Sequence, residues 1–318
     1  MSKNKLMKIC VWFCLSMAII YGAGRVYYRV TAGFTTGNIT SSLPFDPRFE
    51  TKPLNGVEKI LVDSILSQEF HYLGKGCQSY VFASEDGKYV LKFFKYQRFT
   101  PQEWLKLFSF IPAVEEHRLK KIEEKKAKLE NIFTSWKIAF DELKPETGLV
   151  LVHLNKTKDL NRELVIFDKM GFKTVLPIDD YEFLIQKRAL MLTDVIDQQM
   201  KGGEIDQAKL LIDNLFSTIL SEYNRGLGDN DHALMQNTGV LDGKPIHIDV
   251  GQFVKNEDFK EFDTQAQETF SKTYKYRIWL KKQHPKLSVY LEEKLRAFMG
   301  PKMDTLKPQL KNMAADEL

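Results

Sequence analysis

Apolar and polar positions along this chain follow distinct regimes. The first is a continuous apolar run, "ICVWFCLSMAIIYGAG" (9–24), preceded by "MSKNKLMK" and closed by Arg25. A basic leader before an apolar body has the layout of a signal or a signal anchor. The run is a little short of the about 20 residues of a helical span, which flanking Lys and Arg can extend by snorkelling. An uncleaved anchor over 1–24 is therefore expected. Gly22 and Gly24 leave a cleaved signal as the alternative. Residues 25–57, with "TAGFTTGNITSSLPFDPRFETKP", are rich in Thr, Ser, Gly and Pro and lose periodicity, which predicts a linker.

From residue 58 the pattern becomes globular. "YLGKGCQSYVF" and "KYVLKFFK" flank the turn signal "EDG", which predicts a hairpin. A long stretch, "FIPAVEEHRLKKIEEKKAKLENIFTSWKIAFDEL", repeats at helical spacing, with Leu119, Ile122, Leu129, Phe133, Trp136 and Phe140 on one stripe. Its Glu and Lys runs read as a solvated face with pairs such as Glu116–Lys120 and Glu124–Lys128. "GLVLVHL", "ELVIFDKMGFKTVLPI" and "YEFLIQKRA" read as strands, with a turn around Lys169–Gly171. "EIDQAKLLIDNLFSTILSEYNRG" carries Leu211, Leu215, Ile219 and Tyr223 on one face and stops at Gly226. Two more helices follow, separated at His284–Pro285. Basic residues of the first of these, Lys272, Lys275, Arg277, Lys281 and Lys282, read as a solvated face. Strands and one long helix, then helices, predict an α+β chain.

Composition narrows the function classes. Apolar and charged shares of 43% and 28% are ordinary for a globular chain of 318 residues. A net charge of +4 is too small to imply a nucleic-acid partner. Three cysteines and six scattered histidines supply neither a disulfide framework nor zinc-ligand spacing.

Two stretches carry chemistry. In the hairpin, Gly74 and Gly76 allow backbone N–H groups to approach an anion, and Lys92 lies among Val90, Leu91, Phe93 and Phe94. A lysine in an apolar strand must satisfy its charge, and phosphate is one way. The second stretch, "GLGDNDHALMQNTGVLDGKPIHIDVGQF" (226–253), gathers Asp229, Asp231, Asn237 and Asp249.

Together these resemble the protein-kinase-like fold, through an atypical member. Gly74, Gly76 and Val81 match its glycine loop, with Ser79 where the third glycine stands, and Tyr89-Val90-Leu91-Lys92 matches V-A-I-K. "HIDVG" resembles D-F-G and, more closely, the H-I-D-F-G of phosphatidylinositol kinases. The resemblance implies a small N-lobe with an antiparallel sheet and a long helix (58–188), and a compact helical C-lobe (189–318). It implies ATP and Mg²⁺, with Gly74, Gly76, Ser79, Val81 and Lys92 on the nucleotide. Asp231 would be the catalytic residue, and Asn237 and Asp249 would hold metal. Asp231 stands 18 residues before Asp249, the family's usual separation, while Gly228-Asp229 resembles the G-D of lipid kinases, so Asp229 competes for the role. Asn237 is one residue beyond the usual register, which Gln236 occupies, and no HRD is present. Either Glu115 or Glu130 would pair with Lys92, and backbone near Gln186–Arg188 would meet adenine. Little chain follows Asp249, and it has no A-P-E element, which points away from ordinary protein kinases.

The sequence thus predicts a single-pass, membrane-anchored phosphotransferase acting on an unnamed protein, lipid or small molecule. A pseudokinase that binds nucleotide or partners without chemistry is the alternative. Lysines before the apolar run favour an inside N-terminus, which would place the domain outside. "ADEL" at the C-terminus and the sequons Asn38-Ile39-Thr40 and Asn155-Lys156-Thr157 would suit a lumenal enzyme.

Overall fold

A computed structural model describes residues 3–309 of the chain. Met1, Ser2 and the "ADEL" tail lie outside the described residues. The chain is mixed α+β, rich in sheet in its first half and in helix in its second.

Helix α1 runs Lys3–Thr31, well past the apolar run, and its Met7–Thr31 stretch is long and apolar enough to cross a membrane by length and composition. The segment expected to be a linker is partly structured. Phe34 and, from the single turn α2 (Thr36–Ile39), Ile39 are buried in the sheet core, and α3 (Gly56–Leu66) starts at an Asn55/Glu58 capping box. Isolated apolar residues among Thr and Gly anchor irregular backbone without leaving a periodic signal. Both sequons are engaged: Asn38 donates to Gly33 O, and the buried Asn155 exchanges two 2.9 Å bonds with the Asp46 backbone. A glycan on Asn155 would break that pair.

Strands β1 (Phe70–Lys75), β2 (Ser79–Ser84) and β3 (Tyr89–Phe94) form an antiparallel meander. Gly87, at φ +69°, makes the β2–β3 turn. After the turn α4 (Trp104–Leu107) comes α5 (Pro112–Glu142). The turn α6 (Lys144–Thr147) leads to β4 (Leu149–His153), β5 (Glu163–Phe167), β6 (Lys173–Pro177) and β7 (Phe183–Lys187). The sheet order is β4-β7-β3-β2-β1-β5-β6. Seven strands exceed the small antiparallel sheet expected, and β1 pairs with β5 in parallel. The β5–β6 hairpin extends the β1 edge.

In the second half, β8 (Leu190–Met191), α7 (Leu192–Lys201) and α8 (Ile205–Asn224) precede β9 (Leu227–Asp229) and the turn α9 (Leu234–Asn237). Strands β10 (Thr238–Leu241), β11 (Lys244–His247) and β12 (Phe253–Lys255) follow, then α10 (Phe262–Gln283) and α11 (Pro285–Met299). Leu211, Leu215, Ile219 and Tyr223 of α8 are buried in one core with Tyr276, Leu280, Leu287 and Leu291 of α10 and α11. The basic face of α10 is not wholly solvated, since Lys272 is buried.

Of the expected stripe on α5, the inner four positions pack and the outer two do not bury fully. Leu129, Phe133, Trp136 and Phe140 are buried, whereas Leu119 is 49% exposed. The outer turns are rich in charge and tie themselves with Glu115–Arg118 (2.6 Å) and Lys121–Glu124 (2.7 Å) pairs. Phe133 packs between Phe94 and Phe49 at 5.0 and 5.2 Å. Phe133→Ala is expected to cost about 3–5 kcal/mol in urea unfolding of the solubilised chain, and Leu119→Ala no more than about 0.5 kcal/mol. Equal losses at both positions would refute the half-packed helix.

Candidate functional site

The site is built where the sheet meets the helical half. Register pairs Val81 with Lys92 across β2–β3, so both side chains point to one face. Lys92 is buried, donates to the Ile248 carbonyl and lies 5.6 Å over the Trp136 ring. Burial pulls its amine down to about 8, opposed by the attraction of Asp249. Asp249 sits just after β11, its Oδ1 accepting Gly251 N–H at 3.3 Å. Burial raises its carboxyl, Lys92 lowers it, and Asp231 raises it again. Lys92, Asp249 and Asp231 therefore share one electrostatic neighbourhood.

Asp231 follows β9 and is fixed from two sides: Oδ1 accepts Ala233 N–H at 2.9 Å, and Oδ2 accepts Gln252 Nε2 at 3.4 Å. Asp229 differs. It is buried, faces the buried Lys272 at 3.7 Å and accepts the Asp231 N–H at 3.0 Å. Burial raises its carboxyl, with Lys272 as the main opposing influence. Asp229 thus props the loop from beneath while the less buried Asp231 lies above it. Asn237 ends α9, and its carbonyl accepts Ile248 N–H at 2.8 Å, which sets it beside the strand that delivers Asp249.

The glycine hairpin covers this group. A β-bulge between Tyr72 and Gly74 kinks β1, and Gly76 N–H donates to Ser79 O at 3.0 Å across the tip. A Cβ on Gly74 would meet nothing within 4 Å, and one on Gly76 only Ser79 Oγ at 3.8 Å, so protein packing demands glycine at neither. Gly251 is the opposite case, since its Cβ would come within 2.6 Å of Gln78 Oε1. The hairpin tip thus rests on the D-V-G segment through Gln78, whose buried Oε1 has no hydrogen-bond partner. Lys95 ties the tip by donating to Gly76 O, and burial pulls its amine down to about 8.

Two expectations need correction. Neither candidate glutamate pairs with Lys92: Glu115 binds Arg118 on the outer helix, and Glu130 binds Arg48 at 3.3 Å. Helix α5 instead presents Trp136 to Lys92, and Ser135 to the chain after Asp249. Ser135 Oγ donates to Val250 O and accepts Phe253 N–H at 2.7 Å. In the stretch expected to meet adenine, several donors are engaged within the protein. Gln186 Nε2 donates to Thr147 O and His247 O, Lys187 N–H to Gly148 O, and Arg188 N–H to Lys88 O.

Several residues escaped the sequence reading: Gln78, Ser135, Lys272, and the pairs His232–Glu268 (2.9 Å) and His247–Glu222 (2.6 Å) that brace the two loops from the helical core. Of these, Lys272 stood in the sequence only as one of several basic residues on its helix.

No protein-family model matches the chain, and no curated protein matches it. Among solved structures it is similar to WbdD, at 17% identity and a TM-score of 0.37 over 78% of this chain and 48% of that one. It is also similar to Rv3197 of Mycobacterium tuberculosis, solved with erythromycin, at 12% identity and a TM-score of 0.34 over 94% and 75%. This chain spans about half the length of the WbdD chain.

The Ser135 tether gives a direct check. Ser135→Ala leaves the Phe253 N–H and the Val250 carbonyl with only the long 3.4 Å bond between them and is expected to cost about 1 kcal/mol in denaturant unfolding. Glu115→Ala and Glu130→Ala are expected to leave the Mg·ATP-dependent rise in Tm unchanged. A lost rise in either would restore a glutamate as the partner of Lys92.

Proposed function

We propose that this chain is a two-lobed, kinase-like, ATP- and Mg²⁺-dependent phosphotransferase anchored in a membrane by α1, with its lobes dividing near residue 188. The observation that carries this reading is the shared neighbourhood of Lys92, Asp249 and Asp231 beneath glycines that no packing requires.

The residues suit such a ligand. Among the described residues, no three His, Cys, Asp or Glu side chains form a metal centre by themselves. A cation here would share protein oxygens with phosphate, which is how Mg²⁺ is commonly held. Asp249 and Asn237 supply hard oxygen donors, and Lys92 supplies the charge that orients phosphates. The side-chain-free backbone of Gly74 and Gly76 leaves room for anionic oxygens beside the Ser79 hydroxyl, while the Gly76 N–H stays on Ser79 O, and Val81 gives an apolar surface to a base. Bound Mg·ATP supplies the phosphoryl group and the charge that screens it. Asp231, fixed by Ala233 and Gln252, accepts the proton of the acceptor hydroxyl on a carboxylate oxygen. Asp229, paired with Lys272, is assigned to holding Asp231 in place.

One observation favours the pseudokinase alternative. Gln78 lies on Gly251, and Lys92 is held by a backbone carbonyl, so the hairpin is folded onto the segment it would have to clear for phosphate.

Variants separate these readings. Asp249→Asn is expected to abolish Mg²⁺-dependent ATP binding with the fold intact. Asp231→Asn is expected to keep binding and slow turnover by ~10²-fold or more, measured as ATP hydrolysis and transfer to a lipid and peptide panel. A dead Asp229→Asn beside an unaffected Asp231→Asn would reverse the assignment, although Asp229→Asn also needs a fold check, because it strands Lys272. Wild type that binds Mg·ATP but turns over no faster than the double variant would favour the pseudokinase.

A titration follows from Lys92. Its amine, pulled to about 8 by burial, must be charged to hold phosphate. Mg·ATP binding is therefore expected to weaken above pH 8, approaching about tenfold per pH unit. Lys92→Arg, charged throughout, should flatten that profile where it still binds. A flat wild-type profile from pH 7 to 9.5 would remove Lys92 from the phosphate site.

A further inference from the structure

A strongly basic cavity lies away from the proposed catalytic group, between the end of α1 and strand β1. It measures ≈ 680 Å³, and Arg25, Arg29, Lys75 and Lys169 line it without a single carboxylate. Two of these cations are held in place by the helix itself. Lys75 Nζ donates to Ala32 O at 2.7 Å and lies 3.9 Å over the Tyr28 ring, and Lys169 Nζ donates to Arg29 O at 2.9 Å. These bonds satisfy carbonyls at the C-terminal end of α1, where cations are favoured. Tyr80 adds a bond to Gly33 O, so the helix passes into the sheet with no free loop between them.

Geometry then sets the height of this cavity. Met7–Gly24, at about 1.5 Å per residue, is about 27 Å long, close to the about 30 Å hydrocarbon core of a bilayer. Arg25 to Thr31 therefore fall at headgroup level, and the rigid join brings β1 and the β5–β6 turn there as well. That turn carries Met170 and Phe172, 49% and 63% exposed, on either side of Gly171, and Leu73 of β1 is 46% exposed beside Lys75. Asp168, the carboxylate of this turn, is spent on the Met170 and Phe172 N–H groups at 2.8 and 2.9 Å. Cations ringing a cavity with bare apolar side chains beside it make an interfacial surface.

We propose that the sheet half rests on the bilayer through this surface. The cavity takes the phosphate of an anionic phospholipid headgroup, and Met170 and Phe172 dip into the interface beside it. The proposal rests on α1 being an uncleaved membrane anchor and is independent of catalysis. Because Lys75 adjoins Gly74, a bound headgroup holds the glycine strand at its membrane end.

The test is hydrogen exchange of the full chain in nanodiscs of phosphatidylcholine alone and with phosphatidylglycerol. Peptides covering 69–75 and 168–173 are expected to exchange about fivefold or more slowly in the anionic discs, the scale of one basic residue at an anionic surface. Arg25→Gln should lose that difference. Met170→Ser/Phe172→Ser, at exposed positions, should reduce it with the fold intact. Equal exchange in both discs overturns the surface while leaving the anchor standing. A chain that never enters discs overturns both. Protection in neutral discs on adding inorganic phosphate alone, without an anionic-lipid effect, would replace the lipid by a free anion.

Discussion

A charged amine held inside an apolar strand is the constraint around which the rest is arranged. Lys92 lies among Leu91, Phe93 and Phe94, all buried. Nothing in the sheet itself neutralises it. Its oxygen partners come from the other half of the chain, the Ile248 carbonyl and the Asp249 carboxylate. Charge in a low-dielectric place is costly unless paired and hydrogen-bonded. The two halves therefore meet at an electrostatic joint, and the backbone that supplies it must be held to close tolerance. Ser135 does this from α5, and the β10–β11 pairing does it from the helical half.

The same logic separates the two aspartates of the preceding loop. Asp229 has a buried cation and an amide to hold, so its chemistry is spent on structure. Asp231 is held by an amide hydrogen and a neutral side chain, and both Asp229 and Asp249 are like-charged neighbours of it. A carboxylate positioned by neutral donors beside other carboxylates is a suitable partner for a cation. Sequence spacing alone could not distinguish these cases, because both residues lie in one polar run.

Much of the architecture was legible in the sequence because it is periodic or punctuated. The glycine hairpin with its "EDG" turn, the long helix, the three later strand stretches and the break at His284–Pro285 all appear where the pattern puts them. What escaped was whatever depends on partners distant in sequence. The outer half of α5 has an apolar stripe but no surface to meet, so Leu119 stays exposed. Phe34 and Ile39 are single anchors without a period. The substitution of Ser135 and Trp136 for a glutamate beside Lys92 is visible only once the helix register against β3 is known. Lys272 read as surface because five cations on one helix usually are, and its buried carboxylate lies in a different element. The parallel β1–β5 contact is likewise a matter of topology, which local pattern does not encode.

The position of β7 has a consequence for how the chain is made. It lies between β3 and β4, yet it is synthesised after both, with α5 and the β5–β6 hairpin in between. Until residues 183–187 emerge, β3 is an open edge with Val90, Leu91, Phe93 and Phe94 along it. Unpaired apolar edges recruit other strands. A chain emerging from the ribosome thus passes through an interval in which this apolar strand has one open edge, and a charged residue within such an edge disfavours mispairing.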